Sequence, residues 1–276
     1  KFFKFINSIL FFFKFLKKTN YDLVIDLQGL LRTNIISRMT NAKKRISLGS
    51  EFAGNFFSDQ VISRDHKSRR ISSEYFALAK FLKLDYGSFK PRFIPPAKTE
   101  KSIYKSLNLS AGIVNSHFII LPFTTRVEKH WQNSHWKKLI NYLTLKYELH
   151  CIVLGNNLDE NQLELLTQLG NKVISLAGKT SLLDAAQLIN LSKFVVGVDT
   201  GLTHMSISLK KNTVALFGDT CPYLNPVNQN SKVIWINKKC SPCKYGYDLN
   251  EKYSCLKGIH PDLVIDEINS LVRNNH

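Results

Sequence analysis

Between Phe118 and Phe217, short apolar runs alternate with segments of helical spacing, and this alternation constrains the fold more than any other feature. Phe118–Pro122, His150–Leu154, Val173–Leu176, Phe194–Val198 and Thr213–Phe217 read as buried strands. Trp131–Leu145, Leu158–Leu169, Ser181–Asn190 and Leu202–Leu209, lying between them, read as helices. Strands and helices in turn call for right-handed crossovers and a parallel, doubly wound sheet. Ligands of such sheets bind beyond the carboxyl ends of the strands, so chemistry is expected in the loops that follow them.

The first third of the chain carries a weaker version of the same pattern. Asp22–Asp26 reads as a strand, Gln28-Gly29 as a turn, and Leu30–Met39 as a helix. Ser50–Arg70 is polar and basic and predicts loops with a short strand, and Ser73–Leu84 predicts a helix. Three prolines between Phe89 and Thr99 exclude a helix there and suggest an extended connection. Two domains are therefore expected, residues 1–95 and 96–276. The opening stretch, Lys1–Lys18, interleaves Phe, Ile and Leu with lysines. It lacks the small-residue cleavage site of a secretory signal and reads as a basic amphipathic helix, packed on the domain, lying on a membrane surface, or both.

The composition of the 276 residues, 44% hydrophobic and 21% charged, is that of an ordinary soluble globular protein, and no uninterrupted apolar run reaches the length of a membrane span. The net charge of +17 favours phosphate-rich partners. No RNP motif, paired-histidine finger or Arg-rich block accompanies that charge, so nucleic acid is not expected as a partner. Five cysteines, Cys151, Cys221, Cys240, Cys243 and Cys255, are an odd count without a signal peptide and point to a reducing compartment. Cys240, Cys243 and Cys255 lack a fourth ligand at a persuasive spacing, with Cys221 and His260 the nearest options. Unligated thiols and no structural metal are the expectation.

Four strand ends carry polar or glycine-rich loops. Thr124, Thr125, Arg126, Glu128, Lys129 and Trp131 follow the first strand of the alternation; Gly155, Asp159 and Glu160 follow the second. Gly178, Lys179, Thr180 and Ser181 follow the third, and Asp199, Thr200, Gly201, Leu202, Thr203 and His204 the fourth. In the last, a buried strand runs through Asp-Thr-Gly straight into a helix. Free N–H groups and the macrodipole at such a start form an anion site, and Gly201 admits close approach of a ligand. Thr200 and Thr203 add hydroxyls, His204 shares the first turn, Lys129 offers positive charge, and Asp159 suits a ribose diol. Taken singly, each has a plainer reading: Asp199-Thr200 a helix cap, Lys129 a solvated lysine, Asp159 a first-turn acid, His204 a structural histidine. Their convergence on one sheet edge describes a nucleotide-diphosphate pocket.

Three strings then carry a resemblance. Val196-Gly-Val-Asp-Thr-Gly-Leu-Thr-His204, followed by Val214-Ala-Leu-Phe-Gly-Asp-Thr220, resembles the nucleotide-sugar motif of the family 9 glycosyltransferases. Phe123-Thr-Thr-Arg-Val-Glu-Lys-His-Trp131 resembles the Thr-Thr-Arg…Lys-x-Trp segment of the ADP-heptose-dependent lipopolysaccharide heptosyltransferase I branch of that family, and Tyr21–Arg32 is similar to its acceptor-side motif. The resemblance implies the GT-B architecture: two Rossmann-like domains, an amino-terminal one for the acceptor and a carboxyl-terminal one for the sugar nucleotide. It also implies Thr124, Thr125 and Lys129 at diphosphate and sugar, Asp159 at the ribose with Glu160 competing, and Thr180 near adenine. Asp199, Thr200, Gly201, Leu202 and His204 would hold heptose and diphosphate. Gln28, Arg32 and Arg70 would meet an anionic acceptor.

The implied reaction is inverting transfer of heptose from ADP-heptose to the Kdo region of the lipopolysaccharide inner core, by a peripheral protein on the cytoplasmic face of the inner membrane. Lys129 would stabilise the leaving group. No Asp-x-Asp pair occurs in the sequence, so neither metal nor cofactor is expected. The family opens with a strand and a Gly-Asp loop that supplies the base. Here the amino-terminal domain is expected to be truncated past that loop, so no residue is assigned as base. A heptosyltransferase II-like enzyme, another core-sugar transferase and a non-catalytic remnant that only binds nucleotide sugar are the alternatives.

Overall fold

The structure, a computed structural model, describes residues 2–49, 54–64, 69–87, 90–95, 100–113, 116–156, 170–238 and 254–273. The chain divides into two compact units, Lys1–Phe89 and Lys90–His276.

The first unit holds three parallel strands in the order β1 (Leu23–Asp26), β2 (Lys44–Gly49), β3 (Gln60–Ser63). Helices α1 (Phe2–Lys18), α2 (Leu31–Arg38), α3 (Gly54–Phe57) and α4 (Phe76–Phe81) accompany them. The helix expected over 73–84 is shorter and opens as a 3₁₀ turn, Ser73–Tyr75, after Ser72 at φ 64°. Among the described residues, Ile46, Leu48 and Leu78 form a hydrophobic cluster with Ile25, Ile62 and Leu82 against them. Asp26 ends β1 and organises the next turn. Its Oδ1 accepts from the N–H of Gln28 and of Gly29 at 3.0 Å, and its Oδ2 accepts from Thr33 Oγ1 at 2.8 Å. Gly29 takes φ 66°, where a side chain would be strained. Along α1, Phe13 and Leu16 are half-buried, whereas Leu10, Phe11 and Phe15 are exposed beside Lys14, Lys17 and Lys18.

The second unit is a six-stranded, wholly parallel sheet. Its strands are β4 (His117–Leu121), β5 (His150–Val153), β6 (Val173–Ser175), β7 (Val195–Val198), β8 (Thr213–Phe217) and β9 (Ser231–Trp235), in the order β6-β5-β4-β7-β8-β9. The chain winds outward from β4 to β6, returns to β7 beside β4, and winds the other way. Helices are α5 (Glu100–Ser106), α6 (Asn133–Lys146), α7 (Leu182–Leu191), α8 (Gly201–Ser208), α9 (Ser254–Lys257) and α10 (Pro261–Arg273).

Two-residue periodicity along β4 builds both layers of the core. Phe118 and Ile120 join Trp136, Leu139, Leu143 and the α10 residues Val264 and Ile268 on one face. Ile119 and Leu121 join Ile103, Ala185, Leu188 and Ile189 on the other. Continuous apolar strands are what a sheet covered on both faces requires. The sequence reading missed β2 and α3 of the first unit and β9, α5 and α9 of the second. The helix expected over 158–169 lies outside the described residues.

Candidate functional site

Strands β4 and β7 are neighbours at the point where the strand order reverses, the place where open α/β sheets bind ligands. Each is followed by a loop whose backbone is fixed by buried groups, leaving a few polar side chains to face a cleft of about 740 Å³.

After β4, the loop is anchored at its far end by Trp131. Its indole is buried, stacks edge-on against Trp136 at 4.9 Å, and donates from Nε1 to the Ile259 carbonyl at 2.9 Å. His130 Nε2 lies 2.8 Å from the Thr124 carbonyl and closes the loop on itself. The single 3₁₀ turn Val127–Lys129 between these anchors delivers Lys129 to the cleft.

After β7, Asp199 and Thr200 lead into α8. Thr200 is the N-cap residue by backbone, yet its side chain makes no capping bond. Asp199 does not cap either. Its Oδ2 lies 2.7 Å from Lys129 Nζ and also accepts from Thr220 Oγ1, while Oδ1 lies 3.0 Å from His204 Nε2. The helix-cap reading of Asp199-Thr200 and the solvated reading of Lys129 are thus both displaced; the side chains of Lys129 and Asp199 are only 15% and 10% exposed. Burial alone would raise the Asp199 pKa. Donors from His204, Lys129 and Thr220, with the lysine charge, outweigh it and hold the carboxyl well below the usual range. Asp199 is therefore a fixed anion.

Thr203 corrects the sequence reading. It is fully buried, and its Oγ1 donates to the Val198 carbonyl at 2.7 Å, tying α8 back to β7 rather than offering a hydroxyl to a ligand. Gly197 makes room for it: a Cβ there would lie 2.2 Å from Thr203 Oγ1 and 2.9 Å from Leu121 Cβ. Gly201, by contrast, would place a Cβ in open space, with nothing within 4 Å. No internal contact demands a glycine at that position.

Nine of the expected residues line the one cleft: Thr124, Thr125, Lys129, Thr180, Asp199, Thr200, Gly201, Leu202 and His204. Asp159 and its competitor Glu160 lie outside the described residues. Phe123, Asn156, Leu182 and Met205 also line the cleft and were not foreseen; Ser181, which the sequence placed in a strand-end loop without a role, lines it too. Ser181 had a legible signal, because it caps α7. Its Oγ accepts from the Asp184 N–H at 3.1 Å and donates to Asp184 Oδ2 at 2.6 Å. Two helix starts, those of α7 and α8, therefore border the same space, and both favour an anion.

A further set of groups lies outside the cleft lining. Arg126 bridges Glu128 at 2.7 Å and the buried Asp219 at 2.8 Å. Burial raises the Asp219 pKa against the pull of Arg126 and Lys129. Tyr223 OH lies 2.6 Å from His204 Nδ1, and burial, then the Asp199 charge, push its phenol upward.

The acceptor candidates belong to the first unit. Gln28 is exposed in the loop after β1, and Arg32 is exposed in the first turn of α2. Arg70 donates to the Gly87 carbonyl at 3.2 Å and lies over the Phe76 ring. Arg64, which sequence reading passed over, follows β3 and donates to the carbonyls of Leu27 and Gln28 at 2.6 and 2.9 Å, while pairing with Glu74 at 2.9 Å. Cys240 and Cys243 lie outside the described residues. Among the described ones, Cys151 and Cys255 are buried, and no cluster of His, Cys, Asp and Glu could hold a metal ion. No helix among the described residues is long and apolar enough to cross a membrane.

Comparison with known proteins bears on this arrangement. Lipopolysaccharide heptosyltransferase 1 of Escherichia coli K12 is 28% identical over 213 residues, 76% of this chain and 64% of that relative's length. Among solved structures, E. coli ADP-heptose lps heptosyltransferase II superposes with a TM-score of 0.74 at 21% identity, over 92% of this chain and 77% of the other. E. coli heptosyltransferase WaaC with ADP gives 0.67 at 20% identity, over 94% and 75%. These likenesses assign the GT-B fold. The model of glycosyltransferase family 9 (heptosyltransferase) matches residues 9–254, a span holding every candidate residue named above, so the chain belongs to glycosyltransferase family 9.

Proposed function

We propose that the chain is a heptosyltransferase that moves heptose, with inversion, from ADP-heptose to the Kdo region of the lipopolysaccharide inner core. The observation that carries the reading is the Lys129–Asp199–His204 cluster at the start of α8, bordering a cleft of nucleotide-sugar size. The diphosphate is placed at the free N–H groups of Gly201 and Leu202, with Thr124, Thr125 and Lys129 completing its shell. Adenosine extends toward Thr180, with Asp159 at the ribose, and the heptose hydroxyls meet Asp199 and His204. The acceptor oxygen attacks the anomeric carbon as the carbon–phosphate-oxygen bond breaks, and its proton passes to a base not assigned in this chain. Charge that develops on the departing ADP falls on Lys129 and on the α8 dipole, which are in place before reaction.

Gln28, Arg32 and Arg70 are proposed for the anionic acceptor. A lipid-borne acceptor implies work at the cytoplasmic face of the inner membrane, and the exposed Leu10, Phe11 and Phe15 beside three lysines of α1 suit such a surface.

The test is ADP release from ADP-heptose in the presence of a Kdo-terminated or a heptose-terminated lipid acceptor, alongside calorimetry of ADP binding. Release with the Kdo-terminated acceptor supports the proposal. Release only with the heptose-terminated acceptor moves the chain to second-heptose transfer, and donor binding without release in either case leaves a nucleotide-sugar binder. Failure to bind ADP overturns the reading.

A further inference from the structure

The cleft lining includes His204 but not Tyr223, whose side chain is buried one layer behind it. Tyr223 is held on two sides: its ring packs edge-on against Phe217 at 5.3 Å and against the His204 imidazole at 5.5 Å. Its hydroxyl lies 2.6 Å from His204 Nδ1, and the opposite imidazole nitrogen lies 3.0 Å from Asp199 Oδ1. The groups facing this imidazole are therefore Asp199 from the end of β7, Tyr223 from the loop after β8, and Lys129 at one remove through Asp199.

The order of donors and acceptors follows from this chain of contacts. Asp199 is ionised and can only accept, so the nitrogen facing it carries the proton. In the neutral ring the other nitrogen is then bare and needs a donor, and the tyrosine hydroxyl at 2.6 Å is that donor. Burial makes the phenol hold its proton more tightly, in keeping with a donor role.

We propose that Tyr223 is a positioning residue: its hydroxyl donates to His204 Nδ1 and fixes the tautomer whose Nε2–H serves Asp199, keeping that carboxylate aimed at Lys129 beside the cleft. Asp199 can then face its partners at once, the histidine through Oδ1 and the lysine and Thr220 through Oδ2. Without the tyrosine hydroxyl the proton can move to Nδ1, and a bare Nε2 would face the carboxylate oxygen. Asp199 would lose a donor, and the lysine and histidine that border the cleft would lose their common reference. The link to ligand affinity rests on the nucleotide-sugar reading of the cleft; the tautomer does not.

Two measurements test it. Long-range proton–nitrogen NMR of the full chain, labelled on histidine and without ligand, reads the protonation of each His204 nitrogen near neutral pH. The expected spectrum has Nε2 protonated and Nδ1 bare, with Nδ1 protonation growing in Tyr223→Phe. A wild-type ring protonated on Nδ1, alone or together with Nε2, overturns the proposal even if the variant does not fold. The second measurement is a double-mutant cycle on ADP affinity. Tyr223→Phe should weaken binding about fivefold, the equivalent of one hydrogen bond, and should add nothing in a His204→Ala background. An equal loss in both backgrounds means that Tyr223 does not act through His204. If wild type fails to bind ADP, the nucleotide-sugar reading falls while the spectrum still decides the tautomer.

Discussion

Gly201→Ala separates what the start of α8 does for the fold from what it does for a ligand. The added Cβ meets no atom within 4 Å, and Gly201 borders the cleft. On the protein's side the change is mildly favourable, since alanine exceeds glycine in a helix by at most about 1 kcal/mol. That corresponds to a rise in melting temperature of at most roughly 2–4 °C for a domain of this size. On the ligand's side it is costly. A diphosphate oxygen bonded to the Gly201 or Leu202 N–H would sit about 2.9 Å from the nitrogen, and the methyl group intrudes on that approach. Overfilling a packed site costs about 1–3 kcal/mol, which is roughly a 5- to 150-fold loss of ADP affinity. Calorimetric titration with ADP, paired with thermal melts of the same samples, measures both sides. Gly197→Ala is the contrasting control: its Cβ would strike Thr203 Oγ1 at 2.2 Å and Leu121 Cβ at 2.9 Å, so it should lower the melt itself. Wild-type ADP affinity in Gly201→Ala would refute the placement of the diphosphate at this helix start. A lowered melt in Gly201→Ala would show that the glycine serves the fold instead.

Two further outcomes are expected. Lys129→Ala should weaken ADP by about one to two decades, the value of a charged hydrogen bond, and weaken AMP much less; equal losses, read by calorimetry, would assign the lysine to holding Asp199 alone. The second concerns acid. Because the Asp199 pKa is depressed in the folded chain, its ionised form contributes stability above the ordinary carboxylate value of 3.8, and that contribution is lost as pH falls below it toward the depressed value. Asp199→Asn should therefore be less stable than wild type at neutral pH, with the gap narrowing below about pH 4. Urea melts that show a gap independent of pH would remove the charge from the explanation.

The sequence alone determined five of the second unit's six described strands and the loops that matter. Parallel strands buried on both faces must be continuous apolar runs, and the turn into a following helix is written locally in residues such as Asp199-Thr200-Gly201 and Ser181. β9 escaped because Ser231–Trp235 opens with Ser-Lys and holds only three consecutive apolar residues, behind an Asn-rich loop and outside the regular strand–helix rhythm. Residues 158–169 give a clear helical pattern whose outcome lies outside the described residues.

Only the tertiary structure decided which polar groups meet. Lys129 and Asp199 are 70 positions apart, and nothing local states that they form a 2.7 Å ion pair. That pair exists because β4 and β7 lie side by side at the reversal of strand order, a fact of sheet topology rather than of either loop. The same holds in the opposite sense for Thr203 and Tyr223. Thr203 shares a motif with His204, yet helix geometry turns it inward to the Val198 carbonyl. Tyr223 lies outside the Asp-Thr-Gly string, yet packing against Phe217 brings its hydroxyl to His204. Periodicity fixes which side of an element a residue takes, because it is a property of the backbone repeat. Partners across elements are set by the packing of the whole sheet, and so they emerge only with the fold.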